Sequence, residues 1–187
     1  MKEASYSQAS ATSLAISDDL LFIGTNQGQV WMFDRDNEED YDCFTDKSKE
    51  FLGNAVTAID IHPLRSEYVV LGYERGQLVL FDATEPKKSV KTIKDHHPHT
   101  ASIVDIKFCD WAGGKVFDKQ DEFSGQAEED PKAWMFVSID SQGKVIVNTV
   151  QKKLFVMTSN KHIVIDPVKF YNNLTPHLFT SASCKFQ

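Results

Sequence analysis

The sequence predicts an all-β chain, a succession of antiparallel four-stranded sheets forming part of a β-propeller with about three to four blades in an incomplete ring. Three observations predict it. A block of alternating apolar strands recurs along the chain, each copy turns on a glycine at the same place, and no long stretch spaces its apolar residues as a helix would.

The first copy, residues 12–34, reads TSLAISDDLLFIGTNQGQVWMFD, and the second, 57–82, reads TAIDIHPLRSEYVVLGYERGQLVLFD. Gly24 matches Gly72, Gly28 matches Gly76, Val30 matches Leu78, Phe33 matches Phe81 and Asp34 matches Asp82, each pair 48 positions apart. A third copy is split: 103–108 (IVDIKF) resembles 58–62, and 135–147 (MFVSIDSQGKVIV) resembles 68–80. Gly143 lies 67 positions after Gly76, which places about 19 extra residues inside that copy.

Each element has a local reason. Leu14 and Ile16, Ile59 and Ile61, and Val104 and Ile106 alternate with polar residues, the pattern of a strand with one buried face. The runs 20–23, 68–71 and 135–137 are more uniformly apolar and suit strands covered on both sides. Short polar turns end in Gly28, Gly76 and Gly143, where a tight hairpin needs positive φ. A third strand alternates again through Val30 and Met32, Leu78 and Leu80, Val145 and Val147, and a fourth is expected near 42–45, 90–93 and 154–157. The whole chain, 1–187, reads as a single propeller unit. Its blades span approximately 11–50, 54–100 and 101–158, a further blade starts in 161–187, and 110–132 is an acidic loop insertion.

One blade leaves both faces apolar and relies on its neighbours to bury them, and rings usually close with ~4–8 blades. Three recognisable copies therefore predict a piece of a larger protein or a truncated gene model. The competing fold is a β-sandwich with coincidental hairpins, which does not require the preserved spacing.

With 20 basic and 27 acidic residues the net charge is −7, and no window is strongly basic. That disfavours a sequence-independent grip on nucleic acid and charge-driven docking on anionic lipid. Apolar residues make up 41% of the chain, enough for a core. The first ten residues lack the apolar run of a signal peptide, and Cys43, Cys109 and Cys184 are too scattered for a disulfide framework or zinc site. The expectation is a soluble intracellular protein, which makes the Asn173-Leu174-Thr175 glycosylation pattern a chance match.

Candidate chemical sites are few. His96, His97 and His99 are the densest group of possible metal ligands, but His62, His162 and His177 are scattered and supply no second pair. They read as a polar loop leading into a blade, with one histidine bonding locally. Asp34, Asp36, Glu38, Asp40 and Asp42 alternate as a calcium loop would, yet no glycine and glutamate stand at its sixth and twelfth places. Gly113-Gly114-Lys115 resembles the end of a phosphate loop, but Cys109 replaces the earlier glycine and Val116 the magnesium-binding hydroxyl. Trp31 and Trp134 sit in strand patterns and read as blade packing, while Trp111 is the candidate exposed anchor. In the insertion, Asp118, Asp121, Glu122, Glu128, Glu129 and Asp130 outnumber Lys119 and Lys132, the composition of a surface loop that could steer a basic partner. The sequence predicts no catalytic residue, no cofactor and no metal, and it singles out no partner-binding residue.

Three segments carry a resemblance: GTNQGQVWMFD (24–34), LGYERGQLVLFD (71–82) and DHHPHTASIVDIKF (95–108). Through roughly 11–165 the chain resembles the N-terminal WD40-type propeller of the vacuolar protein sorting-associated protein eight family. Asp95, His97, Pro98, Thr100, Ala101, Ile106, Lys107 and Phe108 fit the most telling segment. The acidic insertion departs from the family pattern, the part after Val150 looks shortened, and nothing corresponds to the family's helical solenoid or C-terminal Cys/His zinc module. The resemblance implies a non-enzymatic scaffold of the CORVET endosomal tethering complex. It would be cytoplasmic and peripheral on early endosomes, bound to other tethering subunits and a Rab5-type GTPase, and would serve protein transport to the vacuole or lysosome. The alternatives are a general WD40-like reader of short peptides and, lacking any paired motif, a propeller-borne hydrolase.

Overall fold

The repeat is set by three hairpins that close in the same way. Thr25, Tyr73 and Asp140 each donate their backbone N–H to the carbonyl four residues on, at Gln29, Gln77 and Lys144. Their own carbonyls accept from Gly28, Gly76 and Gly143, and these glycines have φ of 80°, 83° and 83°. This is a turn that ends on a left-handed residue, a conformation most side chains resist. One residue into each turn, Asn26, Glu74 and Ser141 donate to Ser10, Ala55 and Ser102, just ahead of the first strand of the same sheet.

The computed structural model describes residues 9–36, 41–44, 51, 53–84, 91–92, 99–109, 114–115, 129–130, 133–153 and 156–167. The first sheet contains β1 (Ala11–Ile16), β2 (Leu20–Thr25), β3 (Val30–Asp34) and β4 (Tyr41–Phe44), antiparallel and in chain order. The second repeats that order with β5 (Val56–Ile61), β6 (Tyr68–Tyr73), β7 (Leu78–Asp82) and β8 (Lys91–Thr92). The third begins with β9 (Ile103–Phe108). A two-residue ladder of β10 (Gly114–Lys115) with β11 (Glu129–Asp130) follows, and the sheet resumes in β12 (Ala133–Asp140), β13 (Val145–Lys153) and β14 (Val156–Ile165). The insertion thus lies between the first and second strands of the third sheet, and apart from β10 and β11 it falls outside the described residues.

Each first strand carries one extra residue at the same place. Pairing skips from Ala11 to Ser13, from Val56 to Ala58 and from Ile103 to Asp105, leaving Thr12, Thr57 and Val104 in a β-bulge. The bulge corrects the alignment of the third copy. Val104 is the bulged residue, and the counterparts of Leu14 and Ile16 are Ile59 and Ile61, then Ile106 and Phe108.

The sheets stack face to face with the second in the middle. Val69, Leu71, Tyr73, Val79 and Phe81 point one way and pack with Phe22, Val30, Met32 and Phe51. Tyr68, Val70, Leu78 and Leu80 point the other way and pack with Ile103, Ile106, Phe136 and Val150. All six residues of β6 are buried, as expected of a strand covered on both sides. The sheets approach each other closely at two repeated glycines. A Cβ on Gly24 would lie 2.7 Å from the Val56 side chain, and one on Gly72 would lie 2.5 Å from Ile103. Among the described residues, three four-stranded antiparallel sheets in succession, with no closed barrel, make this a partial β-propeller.

Three expectations need correcting. Leu14 and Ile16 are 63% and 60% exposed, because among the described residues no sheet covers their face of β1; Ala15 is the residue that packs inward. In β2 only Phe22 among 20–23 is buried, for the same reason. The outer strand of the third sheet, expected near 154–157, pairs along β13 as far as Ile165, so that sheet runs past 158 and into the segment assigned to a further blade. Residues 168–187 lie outside the described residues.

The hairpins yield a first prediction. A Cβ at Gly76 would sit 2.5 Å from the carbonyl oxygen of His99, in the loop leading to the next sheet. Gly76→Val is expected to cost at least ~1 kcal/mol from φ alone, seen as a lower midpoint in urea unfolding.

Candidate functional site

The densest polar cluster among the described residues lies inside the third sheet. Ser138 and Asp140 are two residues apart on β12 and so share a face; Asn148 on β13, opposite Phe136, joins them. His99 arrives from the loop ahead of β9. All four are buried, with exposures of 0% for His99, Ser138 and Asp140 and 1% for Asn148.

Hydrogen bonds join the four side chains in order. Asp140 Oδ1 accepts from the backbone N–H of Gln142 at 3.0 Å and of Lys144 at 2.9 Å. Its Oδ2 lies 3.0 Å from His99 Nδ1. A carboxylate only accepts, so Nδ1 carries a hydrogen. Ser138 Oγ lies 2.8 Å from Nε2, within hydrogen-bond reach, and accepts from Asn148 Nδ2 at 3.1 Å. Each group thereby has a partner, which burial requires.

Serine, histidine and aspartate follow one another here as in a hydrolytic triad. Burial separates the two cases, since a nucleophile has to meet substrate and Ser138 has no exposed surface. The cluster instead ties the loop at His99 to the hairpin that starts at Asp140. At the equivalent places on β6 and β7 the second sheet has Leu71, Tyr73 and Phe81, all buried. One position in the blade is therefore filled by a polar network in one copy and by packed apolar side chains in the other.

Of the expected candidates, only His99 enters this cluster, and its partners are 39 and 41 residues away rather than local. His96, His97 and His177 lie outside the described residues; His162 is on β14. No group of three or more potential ligands among the described residues could hold a metal. In the alternating acidic run, Asp34 Oδ1 accepts from the backbone N–H of Asp36 at 2.8 Å, an ordinary turn contact. Trp31 is half-buried on β3, Trp134 lies on β12, and Trp111 is outside the described residues. Ser138, Asp140 and Asn148 carry no signal that distinguishes them in one sequence. Their link to His99 exists only in the folded chain.

A second polar contact joins the second and third sheets. Asp60 on β5 accepts from the Phe108 N–H at 2.6 Å and from Lys107 Nζ at 3.4 Å. Burial pushes its carboxyl above the ordinary value of 3.8, against the opposing pull of those two donors. Next to it, His62 packs its ring on Phe108 at 5.0 Å between centroids and accepts the Leu64 N–H at Nδ1. Burial, followed by the charge of Arg65, holds His62 below its ordinary 6.5.

Four-stranded antiparallel sheets, repeated along the chain and stacked face to face, define a protein of the β-propeller class. The Vps8 beta-propeller family model matches residues 1–170, and the chain belongs to that family. It is 30% identical over 115 residues to the vacuolar protein sorting-associated protein 8 homolog of Mus musculus and 28% identical over 116 residues to that of Homo sapiens. Each match covers 57% of this chain and 8% of the relative, so the chain spans a small part of the relatives' length. No helix among the described residues is long and apolar enough to cross a membrane.

Two predictions follow from these contacts. His99→Ala leaves Asp140 and Ser138 buried without their partner and is expected to destabilise by about 3 kcal/mol; Asn148→Ala, at the end of the chain of bonds, should cost less, as chemical denaturation of each variant would show. On acidification, a depressed His62 favours the folded state less, because the unfolded chain takes the proton first as pH falls through 6.5. A raised Asp60 acts in the opposite sense, since its folded-state penalty is relieved as pH falls toward 3.8. His62→Asn should therefore lose less stability than the unsubstituted chain between about pH 7.5 and about pH 5.5, read from paired urea titrations.

Proposed function

We propose that this chain is a non-enzymatic protein-interaction scaffold of the vacuolar sorting machinery, acting in endosomal vesicle tethering as part of a CORVET-type complex. Its partners are the other tethering subunits and a Rab5-type GTPase, and through them it works in the cytoplasm on the early endosome membrane, in transport to the vacuole or lysosome. The observation that carries the reading is the family match over residues 1–170. The names of the mouse and human relatives support the vacuolar sorting context. The geometry agrees with a scaffold, because the cluster most like a catalytic site is enclosed and bonded internally.

Propeller blades host many functions, so a general WD40-like peptide-binding module is the alternative. Pull-down of early-endosomal GTPases, loaded with GTP or GDP, onto the immobilised chain separates the two readings. Retention of the GTP-loaded form alone is the expected outcome. Binding that ignores the nucleotide, or no binding, would count against recruitment through this chain.

A further inference from the structure

The fourth strand differs sharply in length among the three sheets. It has four residues in the first (β4) and two in the second (β8), whereas β14 has ten. From Val156 to Ile163 it pairs residue for residue with β13, from Lys153 back to Ile146, and the one register shift comes at its far end, beside Val164. Among the described residues β14 has a strand on one side alone. In an antiparallel strand alternate residues turn their N–H and C=O away from the partner, so this edge presents about five such residues over roughly 30 Å. A long, regular edge is a template for another strand, and short fourth strands such as β4 and β8 are one way of withholding it.

The place of β14 in the blade keeps that edge apart from the stacking of sheets. The first strands β1, β5 and β9 lie against one another, and the sheets pack through their faces. A further sheet added to the stack would cover a face of the third sheet and leave the edge of its fourth strand at the periphery.

Charge selects the occupant. The chain carries a net charge of −7, yet residues 141–165, its longest stretch without Asp or Glu, hold Lys144, Lys152, Lys153 and Lys161. Lys161 stands on β14 opposite Asn148, and Lys152 and Lys153 are opposite Met157 and Val156 at the end of the hairpin. The edge thus belongs to a basic ribbon on an acidic protein. A second copy pairing edge to edge would bring two such ribbons together, and like charges on adjacent strands oppose pairing. A strand that carries carboxylates makes the same backbone bonds and is drawn to the lysines.

We propose that the free edge of β14 is a strand-addition site, on which an extended acidic segment of a partner protein lies as a fifth strand of the third sheet. Backbone hydrogen bonds hold the segment, and the lysines favour an acidic strand over a basic one. The edge serves any partner with such a segment, whether or not a GTPase binds elsewhere on the chain.

A fluorescent peptide of alternating Glu and Val, matched in length to β14, tests this by anisotropy titration with the full chain. Saturable binding is expected, together with slower amide-hydrogen exchange in Val156–Ile165. Joint Lys152→Glu and Lys161→Glu substitution is expected to weaken binding about tenfold with an unchanged far-ultraviolet spectrum. The same peptide with every amide N-methylated keeps its charge but cannot donate to the edge, and it is expected not to bind. A Glu–Val peptide that fails to bind would overturn the proposal, and so would equal binding of a Lys–Val peptide. Binding that survives N-methylation would mean a purely ionic contact and overturn it as well, as would slowed exchange confined to other strands or an affinity unchanged by the double substitution.

Discussion

A four-stranded sheet of this repeat has two apolar faces, so its stability depends on what lies against each of them. That constraint organises the molecule. The middle sheet is buried on both sides, and its alternating residues divide between two cores, Val69, Leu71 and Phe81 toward one neighbour and Val70, Leu78 and Leu80 toward the other. Gly24 and Gly72 let the sheets approach where Val56 and Ile103 press in. Packing at this density leaves no room for an added methyl at either glycine. Two hydroxyls reinforce the first junction, since Thr12 and Ser13 both donate to the Val56 carbonyl, at 2.6 and 2.9 Å.

Within this frame, chemistry of the catalytic kind is used for architecture. His99, Asp140, Ser138 and Asn148 form an ordered chain of donors and acceptors that ends on two backbone amides. Enclosure makes such a network costly if any member is missing and rigid when complete. The second sheet does without it, placing Leu71, Tyr73 and Phe81 at the same positions, with Phe51 packed on Tyr73 at 4.8 Å between ring centroids. The chain thus combines a constant backbone plan with two ways of filling it.

Much of the fold could be read directly from the sequence. Gly28, Gly76 and Gly143 announced the hairpins because a left-handed turn leaves a visible mark, and the constant spacing from Gly24 to Gly72 carried the repeat. The bulge at Thr12, Thr57 and Val104 was hidden, because an extra residue in a strand has no residue-type requirement here, and the match of IVDIKF to 58–62 lies two positions away from the one the pairing shows. Period-2 patterning shows that a strand has an apolar face without showing whether anything lies over it, as Leu14 and Ile16 illustrate. The His99 cluster was equally silent. Its members are ordinary polar residues far apart in the chain, and only the pairing of β12 with β13 and the path of the preceding loop bring them together.

The short ladder of Gly114–Lys115 with Glu129–Asp130 holds the two stems of the insertion side by side before the third sheet resumes. Once the stems are clasped, the length of the excursion between them costs only a slowly growing loop entropy and does not disturb the register of β9 against β12. This part of the blade can be lengthened, shortened or exchanged for a foreign sequence while the propeller beneath keeps its shape.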